Sequence, residues 1–175
     1  MSAPISGYPY ENPYSLYFGR RISFIQKRAE QGDAEAQFQL GMLYQTGRGV
    51  KQSYVEACNW LWKAVDQKHP GAMAHLGWNY HLGQGVPKSD ETALSLIEES
   101  ASLGDSYGMQ SLGEAYMHGY GVPQSDEKAI YWLKKCVDHG GSCEHLARLF
   151  LEDYSFKYDI ESEYLPEDPD DDSYN

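Results

Sequence analysis

The sequence predicts an all-α fold. The expected form is an α/α solenoid wound as a right-handed superhelix, with three helix-turn-helix repeats of 36 residues and degenerate half-repeats capping both ends. Three observations support this prediction. Matched residues recur in register at that spacing, which is typical of a repeat architecture. Each period contains two stretches of helical periodicity separated by a glycine-rich turn. Each end keeps only part of a repeat, because a solenoid repeat buries its faces only against its neighbours.

The period of 36 residues is visible at positions of several chemical types, and chance does not produce so many matches in one register. Leucine, glycine and tyrosine mark the first helix, two glycines mark the turn, and serine and alanine mark the second helix. The recurring sets are Leu40, Leu76 and Leu112; Gly41, Gly77 and Gly113; Tyr44, Tyr80 and Tyr116; Gly47, Gly83 and Gly119; Gly49, Gly85 and Gly121; Ser53, Ser89 and Ser125; and Ala57, Ala93 and Ala129.

The first helix of each repeat, helix A, is predicted over residues 34–46 in the first copy. Ala36, Leu40 and Tyr44 fall on one helical face because they are spaced i, i+4 and i+8. Gly41 lies in the middle of this helix, where glycine costs about 1 kcal/mol relative to alanine. We therefore expect a neighbouring helix to pack closely against the bare backbone at this glycine.

The second helix of each repeat, helix B, follows the glycine-rich turn. Ser53 is predicted to cap its N-terminus, with Glu56 three residues further on. In the second repeat, Pro70 suits the first position of helix A. The predicted buried stripe of helix B is Ala57, Trp60, Leu61 and Ala64 in the first copy, Ala93, Leu96, Ile97 and Ser100 in the second, and Ala129, Trp132, Leu133 and Cys136 in the third.

The chain is predicted to divide into a Tyr/Pro-rich strap at 1–21, the solenoid at 22–151 and an acidic, tyrosine-rich tail at 152–175. The tail holds ten acidic residues against one lysine, so it carries −9 of the formal net charge of −12. We expect the strap to lie extended on the first helix, and the tail to be either a docking segment or a solvated end. The half-repeats are Ile22, Phe24, Ile25 and Ala29, which resemble a helix B, and Leu146, Ala147 and Phe150, which resemble a helix A.

Charge and hydropathy exclude several classes of partner. The sequence has no basic face, which disfavours nucleic acid, and an acidic surface is expected to attract a basic protein. No stretch reaches the ~18–20 apolar residues that a membrane span needs. The N-terminus does not resemble a signal peptide, so we expect a cytoplasmic monomer. Its three cysteines, Cys58, Cys136 and Cys143, are then expected to be reduced thiols.

The sequence predicts no enzyme, no cofactor and no metal site. It contains no nucleophile elbow, phosphate loop or nucleotide fingerprint. His75 and His81 are six residues apart, which is not the i, i+4 spacing of a helical zinc pair. The histidines and cysteine within residues 139–145 flank a Gly-Gly pair, which we interpret as a break between helices rather than as a metal site.

The repeat pattern Ala36…Leu40-Gly41-x-x-Tyr44-x-x-Gly47-x-Gly49-Val50…Ala57-x-x-Trp60…Ala64 resembles the Sel-like repeat family, whose members are relatives of tetratricopeptide repeats. The resemblance covers about residues 22–151. It implies a scaffold or adaptor without shared catalytic residues. Some bacterial members accompany secretion or toxin systems, and some secreted members have been linked to cell-wall chemistry.

Cysteine-rich secreted relatives in this family join the end of helix B to the next helix A by a disulfide. Cys136 and Cys143 lie near those positions, but their spacing is one residue shorter. Because the N-terminus also lacks a secretion pattern, we expect all three thiols to be free.

The candidate binding residues are those on helix A that differ among the copies. In such solenoids these positions face a concave groove. An aromatic and methionine-rich groove would take a protein partner, since contiguous exposed apolar patches usually mark interaction sites. The alternative is that these groups pack against the adjoining helix A. The residues are Phe38, Met42, Gln45, His75, Trp78, His81, Leu82, Glu114, Met117 and His118.

These observations predict a non-catalytic module that binds a protein partner in its groove. The most concrete form is a bacterial immunity or antitoxin-like protein that neutralises a cognate toxin or effector. One alternative is a regulatory adaptor or scaffold in a signalling or secretion pathway. A cell-wall-related enzyme is the alternative from another class.

Overall fold

The computed structural model describes residues 13–140, with side chains from Gly19 onward, and every regular element in this range is an α-helix. The predicted all-α solenoid is confirmed. Helix α1 precedes three helix pairs, in which α2, α4 and α6 are the A helices and α3, α5 and α7 are the B helices. The bounds are α1 Pro13–Glu30, α2 Ala34–Thr46, α3 Tyr54–Val65, α4 Pro70–Leu82, α5 Asp90–Ser102, α6 Ser106–His118 and α7 Asp126–Asp138.

Side-chain caps set the starts of these helices. The hydroxyl of Ser53 accepts a hydrogen bond from the backbone N–H of Glu56 at 3.2 Å, as predicted, and Ser89 and Ser125 cap the other B helices in the same way. Asp33 and Asp105 cap α2 and α6. For α4 the cap is the imidazole of a histidine, described below, and Pro70 occupies the first turn as predicted.

The mid-helix glycines bring the two helices of each repeat together, as predicted. A Cβ atom added at Gly77 would lie 2.7 Å from Cγ1 of Ile97 and 3.0 Å from the carbonyl oxygen of Ala93. Gly41 and Gly113 meet their B helices in the same way. Glycine is therefore required at this position because any side chain would separate α4 from α5 and its equivalents.

The turn glycines lock each repeat onto the preceding one. Gly85, with φ +75°, lies on the N-terminal end of α3, and an added Cβ would approach the carbonyl oxygen of Tyr54 to 2.3 Å. In the third repeat, a Cβ added at Gly121, with φ +73°, would lie 2.9 Å from the carbonyl oxygen of Asp90 in the preceding repeat. The buried side chains form three hydrophobic clusters along the array. The largest fully buried hydrophobic side chains include Leu40, Leu61, Met73, Leu76, Met109, Leu112, Ile130 and Leu133.

The N-terminal half-repeat differs from its prediction in two respects. Residues 13–21, which we predicted as part of an extended strap, belong to helix α1, whose first residue is a proline. Proline suits this position because its missing N–H would be unpaired in any case. Ile25 and Ala29 are buried as expected, whereas Phe24 is 61% exposed. Residues 1–12, the predicted helix A around Leu146 and the acidic tail lie outside the described residues.

The helix B tryptophans were predicted to be buried and are half-buried instead. The ammonium of Lys63 lies 3.6 Å from the ring centroid of Trp60, and that of Lys135 lies 4.9 Å from the ring of Trp132. Each lysine covers the outer face of its indole, so the ring does not need to enter the core. Leu96, at the equivalent position in the second repeat, is buried.

The prediction of three free thiols is wrong for Cys136, which is disulfide-bonded. Cys58 is free and buried, and Cys143 lies outside the described residues. The position of Cys136 at the end of a helix B was the informative feature. The absence of a secretion pattern at the N-terminus, which we weighed against it, is only indirect evidence about the redox state.

Candidate functional site

An aromatic row crosses the three A helices, which are the elements that carry the candidate residues. The ring of His75 from α4 stacks on Tyr107 from α6 at 4.4 Å and lies 5.6 Å from Phe38 of α2. Phe38 also stacks on His69 at 4.7 Å. The aromatic row, Phe38, His75 and Tyr107, therefore joins all three repeats through side chains of the A helices.

Burial sets the protonation behaviour of this row. The pKa of His75 is lowered to about 4 because desolvation penalises the imidazolium, and the charge of Asp105 offsets only part of this effect. Burial likewise raises the pKa of the Tyr107 hydroxyl. His75 is therefore neutral at physiological pH, and the row is an apolar, stacked feature rather than a charged one.

His69, at the edge of the row, caps helix α4. Its Nδ1 atom accepts a hydrogen bond from the backbone N–H of Ala72 at 3.2 Å. Its Nε2 atom lies 3.0 Å from Oε2 of Glu35, and this hydrogen bond is the main cause that lowers the pKa of the Glu35 carboxyl. The two contacts fix the ring plane against Phe38.

A pocket opens at the second junction, between the second and third repeats. Its floor is apolar, and the indole of Trp78 forms one wall, with Nε1 donating a hydrogen bond to Oγ of Ser111 on α6 at 2.8 Å. The pocket is small, with a volume of about 10 Å³, and it is open to solvent. We call it the junction pocket. Its lining residues are Trp78, His81, Asp90, Ala93, Leu94, Ile97, Ser111, Ala115 and Tyr120.

The mouth of the junction pocket carries an aromatic cluster with one histidine–carboxylate contact. Nδ1 of His81 lies 2.8 Å from Oδ1 of Asp90, the first residue of α5. The ring of Tyr120 lies 4.4 Å from that of His81 and 5.2 Å from that of His118. Tyr120 and His118 are both exposed. The mouth thus presents aromatic rings, a carboxylate and a hydroxyl to solvent, which is the composition of a protein-binding anchor site.

The first junction, between the first and second repeats, fills the equivalent space with a chain of polar groups that we call the amide network. Nε2 of Gln45 donates to Oδ1 of Asn79 at 3.3 Å, and Nδ2 of Asn79 lies 3.5 Å from Sγ of Cys58. The thiol donates to the carbonyl oxygen of Gln84 at 3.3 Å. Asn79 is fully buried, and burial raises the pKa of the Cys58 thiol. The Oε1 atom of Gln45 is buried without a hydrogen-bond partner.

The predicted candidate residues therefore separate into groups. Trp78 and His81 line the junction pocket, Phe38 and His75 form most of the aromatic row, and Gln45 belongs to the amide network. Trp78 is half-buried. His118 is exposed and lies at the mouth of the pocket. The remaining candidates lie on the same helices but outside these three features. They are Met42, Leu82, Glu114 and Met117, of which Leu82 is exposed.

Tyr107, Tyr120 and Asp90 are residues of these features that escaped the sequence analysis. Tyr107 occupies the second position of helix A, where the other copies have Glu35 and Gly71. Tyr120 occupies the variable position between the two turn glycines, and Asp90 is the first residue of a helix B. The same comparison of the three copies finds all of them once it is extended from the middle of helix A to the turn and to the helix starts.

Metal ligation and membrane insertion can be assessed for the described part of the chain. Within residues 13–140, no three His, Cys, Asp or Glu side chains converge on a point that could hold a metal ion. In the same range, no helix combines the length and the apolar character of a membrane span.

Three consecutive segments of the chain, residues 34–69, 70–105 and 106–140, match the Sel1 repeat. Each segment begins at the first residue of an A helix. A search among curated proteins finds no match.

Two solved structures show the same fold. One is a protective antigen present in uropathogenic Escherichia coli strains and displaying an SLR fold; it is 31% identical over 78% of this chain, with a TM-score of 0.67. The other is a Sel1 repeat protein from Oxalobacter formigenes, 33% identical over 75% of this chain, with a TM-score of 0.62. The chain spans 28% of the first protein and 53% of the second.

Proposed function

Because the chain belongs to the Sel1 repeat family, we propose that it binds a protein partner on the face formed by helices α2, α4 and α6. Sel1 repeats generally mediate protein–protein interactions. On this chain, the junction pocket and its mouth are the part of that face whose chemistry best suits a partner. An aromatic pocket with exposed rings at its mouth is the surface type in which binding hot spots cluster.

The observation that carries this proposal is the exposed ring of Tyr120 beside a pocket that the fold does not require. The equivalent turn positions are Arg48 and Gln84, and both of those repeats form the same turn. Tyr120 is 37% exposed although it contacts three aromatic rings. A partner that covers this residue would bury its free edge at little cost in conformational entropy, because neighbouring rings already restrict it.

The test begins with affinity purification of the partner from the native host, followed by calorimetric titration. Tyr120→Ala is expected to weaken binding tenfold or more, about 1.4 kcal/mol, while leaving the fold intact. Val55→Ala is the matched control, because Val55 is an exposed apolar residue on a helix B. Equal affinity of Tyr120→Ala and the wild type would place the partner on another face.

The more specific role is that of an immunity protein that neutralises a toxin or effector. It is supported only by the net charge of −12 and by the exposed aromatic rings beside the junction pocket. The test is co-expression of the identified partner in bacteria with either the wild type or Tyr120→Ala. The wild type should protect the cells from growth arrest by the partner, and the variant should not. A partner that is harmless by itself would favour the adaptor role instead.

The cytoplasmic location expected from the sequence remains a proposal, and the disulfide at Cys136 argues against it. Disulfides persist in oxidising compartments and are rare in the cytosol. Fractionation of the native host, with the protein detected by antibody, decides between the two.

A further inference from the structure

Helix α1 has a second face in addition to the one that packs against α2. Ile25 and Ala29 are buried on the packed side. The opposite side presents three basic residues around one phenylalanine, all exposed and spaced i, i+4, i+7 and i+8, so that they form one stripe along the helix. We call this the basic stripe; its residues are Arg20, Phe24, Lys27 and Arg28.

Phe24 in this stripe occupies a position that is covered elsewhere in the solenoid. It is in register with Trp60 and Leu96 of the following B helices, at the spacing of 36 residues. Trp60 packs against the cluster formed by Ile25 and its neighbours in the preceding unit, and Leu96 is buried. Phe24 is 61% exposed, with the guanidinium of Arg28 lying 5.8 Å from its ring centroid. The stripe is thus an uncovered stacking surface at the N-terminal end of the described array.

The charge of the molecule is unevenly distributed along the chain. Residues 19–30 hold four basic side chains and one acidic side chain, whereas residues 33–140 hold eight basic against thirteen acidic. Residues 152–175 carry −9. This acidic segment also contains five aromatic residues, Tyr154, Phe156, Tyr158, Tyr164 and Tyr174. It therefore offers both chemical groups that the stripe would bind, carboxylates for the basic side chains and rings for Phe24.

We propose that the basic stripe of one copy docks residues 152–175 of a second copy, which gives head-to-tail self-association. A second copy is the occupant because α1 and α7 are the first and last helices of the described array, and the acidic segment follows α7 in the sequence, far along the chain from α1. The attraction is between exposed charges, so it is weak and sensitive to salt.

The test is sedimentation equilibrium of the full chain over a range of concentrations, at about 50 mM and about 500 mM salt, because the higher salt shortens the screening length severalfold. Self-association is expected at low salt and should be lost at high salt. Arg20→Glu with Lys27→Glu should raise the dissociation constant tenfold or more, and Phe24→Ser should raise it independently of charge. Lys51→Glu with Lys134→Glu, the same charge change at exposed lysines elsewhere, should leave it unchanged.

Three outcomes would overturn this proposal. The first is a monomer at every concentration in low salt. The second is self-association that the α1 variants do not weaken, although circular dichroism shows that they fold. The third is binding of the monomer to phosphatidylserine vesicles through Arg20 and Lys27, which would make an anionic membrane the occupant. A synthetic peptide of residues 152–175 that competes with self-association would support the proposal, whereas a peptide that binds α1 without competing would contradict it.

Discussion

The two repeat junctions occupy equivalent places in the fold and are filled by different chemistry. The first junction closes the space between its helices with the amide network, centred on the buried Asn79. The second junction has Leu94 and Ala115 in place of Cys58 and Asn79 and leaves the junction pocket, with Trp78 and Tyr120 at its edges. Both junctions keep the same turn geometry, with a glycine at positive φ after the A helix, and both begin the A helix with a side-chain cap, His69 for α4 and Asp105 for α6. The glycines and caps therefore set the helix-turn-helix backbone of each repeat, whereas the side chains that fill each junction can differ between repeats.

This difference indicates which junction specifies the fold and which is available for binding. A buried polar network tolerates few alternative arrangements, because any shift leaves a donor or acceptor without a partner. An apolar pocket open to solvent imposes no such requirement. The first junction is thus expected to be the more rigid and the more sensitive to backbone change, and the second the more adaptable.

The largest expected difference between the junctions comes from the turn glycines. Gly85→Ala and Gly121→Ala both place a side chain at positive φ, which costs about 1–2 kcal/mol. In the first junction the added Cβ would also lie 2.3 Å from the Tyr54 carbonyl oxygen, against 2.9 Å from the Asp90 oxygen in the second. Overpacking adds roughly 1–3 kcal/mol, so we expect Gly85→Ala to be the more destabilising by about 1–2 kcal/mol in urea unfolding. An equal loss of stability in the two variants would show that both turns relax to the same extent around the added methyl group.

The next effect concerns pH. His75 occupies in the first junction the position that Ser111 occupies in the second. Its pKa is lowered to about 4 in the folded state, so the unfolded chain binds the proton more readily. Its contribution to stability is therefore fully present above pH ~6.5 and is lost as the pH falls toward about 4, by at most on the order of 3 kcal/mol. His75→Phe should fold and lose this part of the pH dependence. An unchanged profile for that variant would assign the acid sensitivity to other groups.

A double-mutant cycle compares the helix contacts of the two junctions directly. At the second junction Ser100 faces Gly108, and a Cβ on Gly108 would lie 2.3 Å from the serine Oγ. At the first junction the equivalent pair is Ala64 and Ala72, both buried. Gly108→Ala alone should cost about 1–3 kcal/mol through overpacking. Adding Ser100→Ala should restore part of this loss, although it removes the 2.8 Å hydrogen bond to the Pro70 carbonyl. Additive costs would mean that the pair is not coupled.

The smallest effect is a difference in reactivity without a change in stability. Cys58 belongs to the amide network and is buried, with its thiol pKa raised, so it should react with disulfide reagents only when the protein unfolds. Without reductant, the unfolded chain should then show one reactive thiol, because Cys136 is bridged. Three reactive thiols under those conditions would restore the original expectation of reduced cysteines.

The elements of the fold that repeat could be predicted from the sequence, and those that do not repeat could not. Helix α2 begins and ends where its periodicity, cap and turn glycine placed it, at Ala34 and Thr46. The half-burial of Trp132 was missed because the covering of an indole by a lysine depends on how the two side chains lie on the folded surface. The start of α1 at Pro13 was missed because interleaved prolines and tyrosines do not show helical periodicity.

The candidate site was predicted less completely, for a related physical reason. Trp78 and His81 stood out because they break the repeat on helix A, but Tyr120 reaches the same pocket from the turn. Contact between α4 and α6 across the junction decides which variable positions meet, and a one-dimensional period carries no information about that contact. The periodic comparison therefore found Trp78 and His81 but not the residues that reach the pocket from the turn and from helices α5 and α6.

The tight contact at Gly85 also determines where the solenoid can accept new sequence. A turn from helix A to helix B lies against the backbone of the preceding repeat, so an insertion there would separate the two units. The return turns are built differently: a Cβ at Gly32 or Gly104 would meet nothing within 4 Å. Exposed turns of that kind tolerate inserted segments. A peptide segment inserted by design or by evolution should therefore be tolerated at residue 104 and should disrupt the packing of the repeats at residue 85.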